Sequence, residues 1–82
     1  MVFLAITPGG LAESIRMAAG TEAVWCGSDA ISEAEFQALA ATNLTRFSSA
    51  LGEATPDKIS EFVVTVQEHH PGQRVWVEHV GS

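Results

Sequence analysis

Val2-Phe3-Leu4-Ala5-Ile6-Thr7-Pro8-Gly9-Gly10-Leu11 is the stretch that decides the fold. A continuous apolar run cut off by Pro and Gly suits a strand covered on both faces, as in a parallel sheet. Beyond the break, Leu11, Ile15 and Ala18-Ala19 recur at helical spacing, with Glu13, Ser14 and Arg16 on the other face. Gly20 supplies the helix C-terminal signal. A doubly covered strand that runs straight into an amphipathic helix is the opening of a βαβ unit.

Working outward, the alternation repeats. Glu22-Ala23-Val24-Trp25-Cys26 reads as a second strand, broken by Gly27-Ser28-Asp29. Ser32 with Glu35 three residues on is a capping box, and Phe36, Leu39 and Ala40 give the following helix its apolar stripe, with Asn43 just past its end. Leu44-Thr45-Arg46-Phe47-Ser48 reads as a short third strand of edge-like character, and residues 52–55 as a loop. Thr55-Pro56-Asp57 is a helix start: an N-cap, Pro at the first helical position, and an acid near the positive end of the dipole. Ile59, Phe62, Val63 and Val66 share one face of that helix, and His69-His70-Pro71-Gly72 stops it. The last strand is expected over Arg74 to Val80, with Val75, Val77 and His79 on one face and Trp76, Glu78 and Val80 on the other.

The expected fold class is therefore α/β: one small three-layer βαβαβαβ domain over residues 1–82, with a mostly parallel four-stranded sheet and right-handed crossovers, flavodoxin-like in style. The expected strand order is 2-1-3-4, the first strand central because it is the most uniformly apolar.

Composition narrows the function classes. The 82 residues make one domain, and 46% hydrophobic content excludes disorder. Four basic residues (Arg16, Arg46, Lys58, Arg74) stand against ten acids, for a net charge of −6. No two of the cations are neighbours in sequence, so nothing offers the cluster that a phosphate backbone or an anionic membrane requires. Charged residues are 17% of the chain, below the usual ~25%, which hints at surface covered by a protein partner or a second copy. The single Cys26 precludes an intramolecular disulfide and fits a reducing compartment. Met1 to Ile6 lacks the features of a signal peptide, and no run approaches the ~20 apolar residues of a membrane span. The expectation is a soluble, cytoplasmic chain.

In an open parallel sheet, ligands bind outside the carboxyl ends of the strands. That rule selects Thr7-Pro8-Gly9-Gly10, Cys26-Gly27-Ser28-Asp29, Ser48-Ser49 and Glu78-His79. Thr7, Gly9 and Gly10 precede a helix N-terminus, where free N–H groups can cradle a phosphate or carboxylate; a tight turn that simply needs glycine is the plainer reading. No lysine or further glycine completes a P-loop or a dinucleotide fingerprint. Cys26 suits a buried small residue better than an activated thiolate. Ser28, Asp29, Ser48 and Ser49 suit turn backbone better than chemistry. His69 and His70 are adjacent at a helix C-terminus, pointing about 100° apart, which suits the dipole better than a metal. No cofactor is indicated. Trp25 and Trp76 read as core cover, and a partly exposed Trp would instead mark an interface.

The opening strand followed by Thr7-Pro8-Gly9-Gly10 and Leu11-Ala12 resembles the start of the small N-terminal α/β module of the CbiG cobalamin-biosynthesis proteins. The likeness covers residues 1–25, rests on a strand-turn-helix pattern, and transfers no site residue. The leading functional expectation is a non-catalytic module that binds a protein partner or itself. The alternative is a small-ligand site for a phosphorylated or carboxylate metabolite, formed by Thr7, Gly9, Gly10, Cys26, Ser28, Asp29 and Ser48. A Cys26-based redox or transfer enzyme trails both.

Overall fold

The computed structural model describes residues 1–78, and within them strands and helices alternate. The elements are β1 (Val2–Ala5), α1 (Pro8–Ala18), β2 (Val24–Cys26), α2 (Glu33–Leu39), β3 (Leu44–Arg46), α3 (Pro56–His69) and β4 (Val75–Val77). His79, and the expected run of the last strand to Val80, lie outside the described residues. No described helix is long and apolar enough to cross a membrane.

The helix starts follow the sequence. Thr7, Ser32 and Thr55 are extended N-caps whose hydroxyls accept from the amides of Gly10, Glu35 and Lys58 at 3.0, 3.1 and 3.3 Å. Each satisfies one of the donors that the first helical turn leaves free. At the other end of α1 the expected stop shifts by one residue. Ala19, with φ 52°, takes the left-handed cap, and Gly20 follows at φ 79°.

All strand pairs are parallel, and the sheet order is β3-β2-β1-β4. The expected 2-1-3-4 order is corrected here. It kept β1 inside but placed the second strand at an edge and the third in the interior. β2 is buried at every position, whereas β3 alternates, with Thr45 exposed and Arg46 half-buried. An interior β3 would bury a guanidinium, which is costly without full pairing. The edge character of the third strand therefore prevails.

Each face of the sheet has its own core. Phe3, Ala5, Val24, Cys26 and Leu44 pack with Leu11 and Ala18 of α1, and Phe36 of α2 joins at the margin. On the opposite face Val2, Leu4, Ile6 and Trp25 pack with Val66 of α3, flanked by Ile59, Phe62 and Val63. Burying side chains of this size contributes about 1.5–3 kcal/mol each, so β1, with Val2, Leu4 and Ala5 all fully buried, anchors both layers.

The inward face of α1 differs from expectation. Leu11, Ser14 and Ala18 face the sheet, while Ile15 is 37% exposed. Small residues at 14 and 18 let the helix approach β1 and β2 closely, and the 100° step per residue then turns Ile15 outward.

Candidate site at the carboxyl edge of the sheet

From β1 the chain steps outward to β2 and β3, then crosses back to place β4 on the other side of β1. The order reverses between β1 and β4, which is where an open parallel sheet forms its crevice. Three residues meet there: Ile6, Thr7 and Glu78. One carboxylate oxygen of Glu78, Oε1, accepts from the amides of Ile6 and Thr7 at 2.7 and 2.8 Å. The other, Oε2, accepts from the Thr7 hydroxyl at 2.6 Å. That hydroxyl in turn accepts from the Gly10 amide at the first turn of α1. A Cβ added at Gly10 would run into the Glu78 carboxylate, so glycine lets the carboxylate approach the turn as it does, and any larger residue would have to displace it. Gly9 is exposed, with open space where its Cβ would be.

Partial burial alone would raise the Glu78 pKa, but the three hydrogen bonds from Thr7 and Ile6 outweigh it and hold the carboxyl below its ordinary 4.5. Of the groups that the sequence offers to an external anion, the Thr7 amide and hydroxyl are engaged by the protein's own carboxylate, and the Gly10 amide is engaged by the Thr7 hydroxyl.

A second group of residues lies at the ends of β2 and β3. The Asp29 carboxylate accepts from the amides of Leu51 and Gly52 at 3.1 and 2.9 Å, fastening the loop before α3. The Ser28 amide donates to the Ser49 carbonyl at 3.0 Å. Arg46 donates through Nε to the Ile31 carbonyl and through Nη2 to the Ser28 carbonyl, both at 2.9 Å. Cys26 is fully buried, and burial pushes its thiol up to about 11; Arg46 pulls against that and Asp29 adds to it. The thiol is protonated at neutral pH, the opposite of what a nucleophile needs. Gly27 is forced by packing: a Cβ there would meet Leu51 at 2.8 Å. Ser48 and Ser49 are exposed in a bend beyond β3.

The expected site residues therefore fall into two groups. Thr7 and Gly10 join Glu78; Cys26, Ser28 and Asp29 join Arg46 and the residue 49–52 loop; Ser48 and Gly9 stand at the surface. Between the groups, on the α3 face, lies an open and largely apolar cleft of about 410 Å³. Ile6, Leu51, Gly52, Ile59, Val77 and Glu78 are among its walls. Arg46 is absent from the sequence-derived edge. Glu78 is among the strand-end residues selected there but not among the expected ligand-binding residues, and its partner at Thr7 becomes visible only once β4 is known to lie beside β1.

His69 and His70 serve the fold. The indole N–H of Trp25, a residue 7% exposed, donates to Nε2 of His70 at 3.1 Å. The Trp25 ring packs against Phe47 and His69 with centroids 5.1 and 5.3 Å apart. Among the described residues no group of three His, Cys, Asp or Glu side chains is placed to hold a metal ion. No family model, no curated protein and no solved structure matches this chain.

Proposed function

We propose that this domain is a non-catalytic interaction module, soluble and cytoplasmic, that docks a protein partner or a second copy of itself through β4. The observation that carries the reading is Trp76. It sits on an outermost strand with 38% of its surface exposed, its ring touching Phe3 at a centroid distance of 5.8 Å. Trp is enriched at interfaces because a large rigid ring removes much apolar area from water at low entropic cost. The surroundings fit. The Cys26 thiol is buried and protonated, and Asp29 is committed to loop amides, so neither is free for chemistry.

The test is association with and without the indole. Trp76→Lys should leave the fold intact and abolish association, whether the partner is another protein or a second copy. Association that survives the substitution, or none in either protein, ends the reading.

A second reading rests on the cleft of about 410 Å³ at the strand-order reversal. A phosphorylated or carboxylate metabolite would reach the Ile6 and Thr7 amides and the Thr7 hydroxyl there by displacing Glu78, with Gly9 and Gly10 beside them at the start of α1. Amide-resolved titration with such metabolites would show saturable shifts at Thr7, Gly9 and Gly10; an unperturbed β1–α1 turn would retire this reading.

A further inference from the structure

We propose that the partner is a second copy of this chain, paired antiparallel along the outer edge of β4 so that two four-stranded sheets join into one; this rests on the interaction reading above and names its occupant.

Backbone direction sets the register. Val2 donates to the Arg74 carbonyl, and the Glu78 amide donates to the Leu4 carbonyl. Residues 74, 76 and 78 therefore turn their peptide groups toward β1, and those of Val75 and Val77 point away from the sheet. No described element lies outside β4 in the sheet order. An antiparallel copy centred on Trp76 brings Val75 opposite the partner's Val77, and Val77 opposite the partner's Val75. Both pairs then exchange N–H and C=O groups, while Trp76 faces the partner's Trp76 in the closer, non-hydrogen-bonded site.

Charge supports the same register. It sets Arg74 across from the partner's Glu78, and by symmetry Glu78 across from the partner's Arg74. The edge is thus self-complementary and locally neutral on a chain of net charge −6. The Glu78 carboxylate is turned toward Ile6 and Thr7, so the complementarity across the seam is one of opposite charges facing at strand register and not of a further hydrogen bond.

The two rims of the sheet are also unequal. Natural sheets blunt their free edges with charge, proline, bulges or cover. At β3 the outward amide of Leu44 is already spent on the Ala41 carbonyl at 3.4 Å. The Val75-Trp76-Val77 edge carries no charge and no proline. Its Trp76 face is also left open, with the α1–α2 layer packed over β1, β2 and β3.

Sedimentation velocity over a range of concentrations tests the proposal on the purified chain. A monomer–dimer equilibrium is expected in the weak class, since a three-residue strand buries little area per copy. Val77→Pro removes an outward N–H that β1 does not use, so it should abolish the dimer while retaining the wild-type circular dichroism. Arg74→Glu, on an exposed side chain, keeps the backbone untouched and should weaken the dimer at least tenfold by setting like charges across the seam. It serves if the proline variant does not fold. A chain that stays monomeric, or a dimer indifferent to both substitutions, overturns the proposal. A monomer that still binds another protein through Trp76 sinks the self-pairing alone; a monomer with no Trp76-dependent partner sinks the interaction reading as well.

Discussion

Thr7 and Glu78, separated by 71 residues in sequence, hold each other by two hydrogen bonds, one from the Thr7 amide at 2.8 Å and one from its hydroxyl at 2.6 Å. The Ile6 amide adds a third bond to the same carboxylate. Regular pairing of β4 with β1 leads, on its next rung, from Ile6 to the main chain of Glu78. The side chain of Glu78 takes that amide instead, closing the ladder and anchoring the end of β4 to the start of α1.

This latch sets a pH dependence. The Glu78 carboxyl is held below its ordinary 4.5, so its contribution to stability is fully present above that value and is lost as pH falls through the lower folded-state value. Glu78→Gln should cost about 1–2 kcal/mol at neutral pH, a charged hydrogen-bond loss discounted for partial exposure. In urea denaturation the gap between wild type and variant should hold constant from neutral to mildly acidic pH and close in strong acid. A gap that persists at the lowest pH means the charged carboxylate is not the stabilising form.

The two glycines of the β1–α1 turn should respond in opposite directions. Gly9→Ala meets open space inside a helix and should stabilise by about 0.5–1 kcal/mol through helix propensity. Gly10→Ala makes the same propensity gain but drives a methyl into the Glu78 carboxylate, so its net effect should be a loss of stability. Thermal melts of the pair decide it. Equal stabilisation by both substitutions would show that Glu78 swings aside freely.

Ser14 is fully buried against the sheet, and its hydroxyl has no hydrogen-bond partner among the described residues. An unpaired buried hydroxyl costs about 1–3 kcal/mol, and alanine fills nearly the same volume with better helix propensity. Ser14→Ala should raise stability by about 1 kcal/mol in urea denaturation. A destabilised variant would reveal a hydrogen bond at that hydroxyl in solution.

Cys26, buried and with its thiol pushed up to about 11, should resist thiol reagents at pH 8 until the domain unfolds. Its labelling rate in graded urea should track the unfolded fraction. Rapid labelling of the native chain would mean that the end of β2 opens locally.

The alternation of elements was legible from local pattern alone. The apolar run of β1 demanded cover on both faces, and Thr7, Ser32 and Thr55 marked the helix starts, because capping and periodicity involve residues within a turn or two of one another. The turn roles of Ser28 and Asp29 were legible for the same reason, although not that the Asp29 carboxylate would reach the Leu51 and Gly52 amides. Even the place of β3 left a trace, since Thr45 and Arg46 are poor residues for a strand with neighbours on both sides. Which strand lies beside which is set by competition among long-range pairings, and local pattern does not rank those pairings. Only that outcome put β4 against β1, brought Glu78 onto the amides of Ile6 and Thr7, and left Trp76 at the rim. The sequence by itself determined the elements and the edge at which their polar ends gather; the tertiary structure decided that Glu78 sits on the Ile6 and Thr7 amides, because those amides and the carboxylate come from opposite ends of the described chain and meet only when the sheet closes.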